Sequence, residues 1–263
     1  MNSITEYLNP ASFFGVTGNL VHEERSNFQH IQVYDTEQFG KALVIDGVFM
    51  TSVNEEFVYH ECMVHPAANT FEVLGKAVVL GGGDGGIARE LLKFTDDVTI
   101  CELDERVVEV AKRYIDIDKG ALQDDRVKII YGDGMQSITN MNDVDLIVMD
   151  LTDPGTTADS LYSAESVRVI KKSLSNNGTM VMHLGSPVYH QNQVARLVSM
   201  LKNEFTNVKI MGAHMPLYGA YWMFAMASDT NSLDQIYQML PSNRFLDDQG
   251  FYHISNIPKC YRI

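Results

Sequence analysis

Short apolar runs alternate with amphipathic stretches from about residue 76 onward. Ala77–Leu80, Val98–Cys101, Val127–Tyr131, Val144–Met149, Thr179–Met182 and Val208–Met211 read as strands. Ile87–Lys93, Glu105–Tyr114, Ala164–Leu174 and Asn192–Phe205 read as helices. Runs this short and this apolar fit strands buried on both faces. The alternation predicts an α/β architecture, a mostly parallel sheet with helices on both sides. Earlier in the chain the rhythm differs. Phe28–Tyr34 has β character, and Ala42–Ile45 and Val48–Thr51 flank Asp46-Gly47, a two-residue hairpin signal. A helix is expected from Asn54 through Ala68. The pattern divides the chain into a small N-terminal antiparallel β subdomain, residues 1–66, and an α/β domain, residues 67–263.

Composition narrows the class. Of 263 residues, 45% are hydrophobic and 21% charged, which excludes disorder, collagen and coiled coil. The formal charge of −14 repels phosphate backbones and anionic lipid, so neither nucleic acid nor membrane is expected as a partner, while a cationic substrate is drawn in. Cys62, Cys101 and Cys260 are odd in number and widely spaced. They fit no disulfide framework and no zinc pattern, so a reducing, cytoplasmic location and no metal are expected. The N-terminus reads as no signal peptide. The longest apolar runs stop at about seven residues, against the ~20 needed to cross a bilayer.

Gly81-Gly82-Gly83-Asp84-Gly85-Gly86 follows the first parallel strand. Gly81, Gly83 and Gly86 satisfy G-x-G-x-x-G, with a helix after them and Glu102 at the end of the next strand. That context predicts a nucleoside-containing ligand across the carboxyl ends of the strands. Asp84 bears on which one. In a dinucleotide site the loop receives a pyrophosphate, which a carboxylate would repel. An adenosyl sulfonium compound carries positive charge and no phosphate, so Asp84 suits it. Asp84 also reads as a cap for the following helix, and the two roles are compatible. Glu102 offers two oxygens to a pair of ribose hydroxyls. Asp133 can accept from an adenine amino group while Gly134 allows close approach, although an Asp-Gly after a strand also reads as a turn.

Asp150 and Asp153 lie just beyond the fourth strand of this series. Paired acids there suit an amine. A free alkylamine, with pKa near ~10.4, must lose a proton before it attacks. One carboxylate can take that proton while the other holds the cation.

Together these residues resemble the spermidine synthase family of polyamine aminopropyltransferases, over almost the whole chain. Ser26–Gln29 matches S-x-[YF]-Q, and Leu43–Gly47 matches the family's hairpin. Glu55–Glu61 matches D-E-F-x-Y-H-E, and Gly81–Glu90 matches G-G-G-D-G-G-x-x-R-E. Glu102–Asp104 matches E-I-D, and Asp150–Pro154 matches D-x-[ST]-D-P. The resemblance implies a Rossmann-like, class I methyltransferase-type sheet beside the small β subdomain, in a homodimer or homotetramer. It implies transfer of the aminopropyl group of decarboxylated S-adenosylmethionine, a co-substrate, to a diamine, releasing methylthioadenosine without metal or prosthetic group. Gln29, Gly81, Gly83, Asp84, Gly86, Glu102, Asp133 and Gly134 would hold the donor. Asp150 would be the base, and Tyr59, His60, Asp153, Tyr218 and Glu55 would face the substrate amines.

Met50, Glu55, the loop Gly155-Thr156-Thr157, His183 and Leu217 depart from the family's usual residues, mostly on the acceptor side. Putrescine is the default acceptor, and these departures keep cadaverine, agmatine or a longer polyamine as alternatives. An S-adenosylmethionine-dependent amine N-methyltransferase is a further alternative, and a non-catalytic relative a third. Trp222 reads as a packed strand residue that could line the acceptor cavity. His65 and His214 show no metal spacing, and the strand methionines read as core.

Overall fold

The computed structural model describes residues 2–153, 158–234, 236, 240 and 242–263. Its N-terminal sheet is an antiparallel meander of β1 (Asn2–Asn9), β2 (Ser12–Arg25), β3 (His30–Thr36), β4 (Gly40–Ile45) and β5 (Val48–Ser52), paired in chain order. Asp46 and Gly47 form the expected hairpin. Both are left-handed, at φ 52° and 85°, as a two-residue turn between twisted strands requires. β3 begins two residues later than its sequence predicts. The Ser26 hydroxyl accepts from the Phe28 and Gln29 amides at 3.0 Å each, which closes a turn and removes them from the ladder. In β1, Ile4, Glu6 and Leu8 are all buried, so an acid occupies an inward position of the period-two pattern.

α1 (Glu56–Ala68) follows, with every residue but Phe57 buried. It packs against α2 and β10 of the second sheet, whose elements are β6 (Lys76–Gly81), α2 (Gly86–Leu91), β7 (Asp97–Glu102), α3 (Glu105–Val110), β8 (Val127–Tyr131), α4 (Gly134–Ile138), β9 (Val144–Asp150), α5 (Ala164–Ser173), β10 (Leu174–Gly185), α6 (Gln191–Glu204), β11 (Asn207–Met215), β12 (Ala220–Ser228) and α7 (Asp248–Ser255). The strand order is β11-β12-β10-β9-β6-β7-β8. Six of the seven strands point the same way, while β12 is antiparallel to both neighbours, β10 and β11. This is the expected Rossmann-like sheet with one reversed strand. Alternate residues serve opposite layers: Leu146 and Val148 pack on the α1 side, Ile147 and Met149 on the α5–α6 side. Met180, Met182, Met211, Met223 and Met226 are buried as core.

The chain leaves β6 toward β7 on one side of the sheet and returns to β9 on the other. The crevice lies at that switch point. Gly81 pairs in register with Asp150, and the Gly82 amide donates to the Asp150 carbonyl at 3.1 Å, so the glycine loop and the acid-bearing strand end are tied together. Among the described residues no helix is long and apolar enough to cross a membrane.

The end of the chain is fastened to α1. The Glu61 carboxylate accepts from three successive amides, Arg244 at 2.7 Å, Phe245 at 2.9 Å and Leu246 at 2.8 Å. An amide in its place keeps one acceptor oxygen and turns an NH₂ group toward a donor. Glu61→Gln is expected to cost about 2 kcal/mol or more. Urea unfolding should show this loss, and limited proteolysis should cut first near residue 244.

Candidate active site

One cavity of about 270 Å³ lies along the carboxyl ends of β6, β7, β8 and β9 and is closed on its far side by β1, β4 and β5. Glu6, Asp84, Glu102, Asp133, Asp150 and Asp153 line it, and no Lys or Arg does among the described residues. Gln29, Tyr59, His60, Gly81, Gly83, Gly134 and Tyr218 line it as well. Thus all but two of the site residues read from the sequence share one wall. Gly86 packs behind His60 instead: a side chain there would fall on the imidazole ring. Glu55 lines a separate cavity of about 20 Å³ with Met50, Ser52 and Tyr218. Pro154 and the loop Gly155–Thr157 lie outside the described residues.

On one side the glycine loop brings backbone close to acids. Gly82 sits at φ 74°, and a side chain there would strike Val79 at 2.6 Å. At Gly83 a methyl would come within 2.8 Å of the Glu102 carboxylate. Asp84 supports the following helix, as its sequence position suggests, and its other oxygen faces the cavity. Its Oδ1 accepts the Gly86 amide at 2.9 Å, supporting the start of α2, and its Oδ2 lies 3.5 Å from His60 Nε2. Glu102 Oε1 accepts the Asp104 amide at 2.9 Å, and burial lifts its pKa to about 7. Asp104 in turn accepts from the Ser26 hydroxyl at 2.6 Å and the Gln29 amide at 3.1 Å, which docks the N-terminal sheet beside Glu102. Asp133 Oδ1 caps α4 through the Met135 and Gln136 amides at 2.8 and 3.2 Å. The turn reading was therefore correct for that oxygen.

In the middle stand Asp150 and His60. The Tyr59 hydroxyl donates to Asp150 Oδ1 at 2.8 Å. Burial, and then the charge of Asp84, raise Asp150 to about 6. His60 is buried, which by itself would lower its pKa, but Asp84 and Glu56 on either side outweigh that and raise it to about 10. His60, Asp84 and Asp150 each place one donor atom within 4.8 Å of the others. A metal there would have to displace the proton that the two flanking acids favour on His60. The cluster suits an ammonium group.

On the other side four rings and two further groups close the cavity. Tyr218 donates to the Met50 carbonyl at 2.9 Å and packs on Tyr59 and Trp222, with ring centroids 6.1 and 4.9 Å apart. Trp222 is both a buried β12 residue and part of this wall. His183 stacks on Trp222 at 6.1 Å. Its Nε2 lies 2.7 Å from the Tyr162 hydroxyl and 3.0 Å from the Leu151 carbonyl. Nδ1 is buried without a hydrogen bond and lies 3.7 Å from Asp153 Oδ1. Glu6 was not foreseen. It accepts the Phe49 amide at 2.8 Å, and burial raises it to about 7. The available signal was its inward parity with Ile4 and Leu8. His65, read without metal spacing, bonds Glu90 at 2.5 Å and Asn243 at 3.0 Å, away from the cavity.

The chain matches the spermine/spermidine synthase domain over residues 56–237 and the spermidine synthase tetramerisation domain over residues 14–52. It is 40% identical to a polyamine aminopropyltransferase of Nitrosomonas europaea over 222 residues, 83% of this chain and 68% of that protein. It is 34% identical to one from Prochlorococcus marinus over 86% of this chain and 82% of that protein. Two solved structures share its fold at 21% identity, each covering 98% of this chain and 92% of the other. One is a spermidine synthase in complex with the transition state analogue AdoDATO, TM-score 0.93, and the other is the Thermotoga maritima spermidine synthase, TM-score 0.92. Cavity, fold and kinship agree, and the chain belongs to the spermine/spermidine synthase family, as a polyamine aminopropyltransferase.

Proposed function

We propose that this enzyme transfers the aminopropyl group of decarboxylated S-adenosylmethionine to a diamine, with putrescine as the default acceptor, and releases methylthioadenosine. The observation that carries the reading is a cavity lined by six carboxylates and, among the described residues, no Lys or Arg. Such a wall favours a sulfonium, an ammonium and hydroxyl donors, and disfavours a phosphate or a free carboxylate. Glu102 would take the ribose hydroxyls, Gln29, Asp133 and Gly134 the base, and Asp84 the ammonium of the aminopropyl chain. Gly81 and Gly83 keep that side clear of side chains, and Gly86 keeps His60 in place.

The acceptor amine gives a proton to Asp150. Its nitrogen then attacks the propyl carbon bonded to sulfur. A carbon–nitrogen bond forms, the carbon–sulfur bond breaks, and its electron pair returns to sulfur as a neutral thioether. The sulfonium is already an activated leaving group, so alignment and deprotonation are the main tasks. Tyr59 orients Asp150, while Asp153 and Tyr218 face the attacking amine. Glu6, on the cavity wall with Asp153, supports a second ammonium at the far end. Met50 lies on the same wall, and Glu55 borders the smaller cavity behind it. The tetramerisation-domain match supports a homodimer or homotetramer. We place the enzyme in the reducing cytoplasm.

Three outcomes test this. With a diamine present, decarboxylated S-adenosylmethionine should yield methylthioadenosine, while S-adenosylmethionine should yield no S-adenosylhomocysteine. Calorimetry should show that the decarboxylated donor binds much more tightly, and Asp84→Asn should erode the difference. Equal wild-type affinity for both donors would refute the assignment of Asp84.

Asp150→Asn should bind donor but lose ~10²–10⁴-fold in turnover. Because Asp150 sits raised at about 6, wild-type turnover should be full above that pH and fall as pH drops through it. An Asp150→Asn enzyme within a few-fold of wild type at pH 7 would place the base elsewhere.

Glu6→Gln should raise the KM for putrescine by roughly 10-fold or more, the loss of one charged hydrogen bond, and leave donor affinity unchanged. Steady-state kinetics with putrescine and butylamine should show the effect on the diamine alone.

A further inference from the structure

Behind the candidate base runs a line of buried groups to which the reading above gives no part. Arg89 of α2 holds Glu56 with two bonds, Nη1 to Oε1 at 3.0 Å and Nη2 to Oε2 at 2.8 Å. Glu56 Oε2 meets His60 Nδ1 at 2.6 Å, and His60 Nε2 faces Asp84 Oδ2 at 3.5 Å. Asp84 Oδ1 accepts the Gly86 amide, and Asp84 and Asp150 face each other in the cavity. The side chains of His60 and Glu56 are only 2% and 5% exposed, so water does not compensate them.

Geometry and charge together bear on the protonation of this line. A carboxylate held by a guanidinium is ionised, so Nδ1 must donate to Glu56. A bare Nε2 lone pair would then point at Asp84 Oδ2, 3.5 Å away, in a carboxyl group held below its ordinary pKa despite burial. Nε2 therefore carries a proton too. Gly86 packs directly against the ring, leaving no space for a side chain of its own. From Arg89 to Asp84 the charges alternate +, −, +, − and sum to zero.

We propose that Glu56, fixed by Arg89, is a positioning residue that keeps His60 an imidazolium and thereby lets Asp84 and Asp150 stay ionised together. The proposal rests on the aminopropyl-transfer reading for its consequence in turnover, but not for its structural core. Two carboxylates facing one cavity cannot both ionise cheaply without a cation beside them. In the empty cavity that cation is His60. It frees Asp84 to receive the donor's ammonium and keeps Asp150 able to take a proton. The direction of the shifts agrees: His60 opposes the rise of Asp150 and holds Asp84 below its ordinary value despite burial. The other groups facing Asp150 are Tyr59, His183, Glu102, Tyr162 and Tyr218, none a fixed cation. Arg244 reaches Glu56 at 3.9 Å from the C-terminal segment and reinforces its ionised state.

The test has two arms. In the first, ¹⁵N-labelled histidine is followed by NMR, with the His60 signal identified by its loss in His60→Gln. Wild-type His60 should remain doubly protonated through pH 8, and in Glu56→Gln it should lose a proton between pH 6 and 8. In the second, turnover is measured against pH. The acid limb of Glu56→Gln should move to higher pH by about one pH unit, with turnover at pH 9 within about 3-fold of wild type. A uniform drop at every pH would mark a merely structural role and overturn the proposal. So would a wild-type His60 that is neutral at pH 7.5, a result independent of whether any variant folds. Absence of aminopropyl transfer by the wild type would sink the functional reading, while the NMR arm would still decide the relay.

Discussion

Six carboxylates share a cavity of about 270 Å³ with no Lys or Arg among its described lining residues, and the rest of the site is arranged around that imbalance. Burial alone pushes carboxyl groups toward the neutral form. Glu6, Glu102 and Asp150 show it, raised to about 7, 7 and 6. Asp84 goes the other way because a histidinium stands beside it. The cavity thus favours cationic and hydroxyl-bearing ligands.

Two sheets meet to build this wall. The parallel sheet supplies Asp84, Glu102, Asp133 and Asp150 at strand ends, where loops diverge on either side of the switch point between β6 and β9. The N-terminal meander supplies Glu6 and Gln29 from the opposite direction. Their positions depend on long-range bonds: Gln29 on Asp104, and Glu6 on the Phe49 amide. α1 joins the halves. It carries Tyr59 and His60 to the cavity and, one residue further on, uses Glu61 to hold the C-terminal segment. A helix with so many buried polar groups is stable only because each reaches a partner on another element.

Much of this was legible in the chain. The alternation of short apolar runs with amphipathic stretches reads as a doubly covered parallel sheet because strands buried on both faces leave no polar alternation. The glycine loop with Asp84 and Glu102 is legible because those roles need particular residues at fixed local spacing. Glu6 was not, since an acid in a mostly polar strand reads as surface until β1 is known to face inward. The reversal of β12 was hidden as well: a buried strand has the same pattern in either direction. His183 announced itself only as a departure. Its partners, the Tyr162 hydroxyl and the Leu151 carbonyl, lie 21 and 32 positions away in sequence.

The central claim is that these acids receive the donor's positive charge and ribose hydroxyls. Calorimetric titration of decarboxylated S-adenosylmethionine into the enzyme at pH 6.5, repeated in buffers of different ionisation enthalpy, measures the protons exchanged on binding. Acids raised to between 6 and 7 carry a proton part of the time in the empty cavity, and a cation or hydroxyl donor favours their ionised form. The account predicts net proton release, smaller for methylthioadenosine, which lacks the charge. Proton uptake, or heats independent of the buffer, would contradict it.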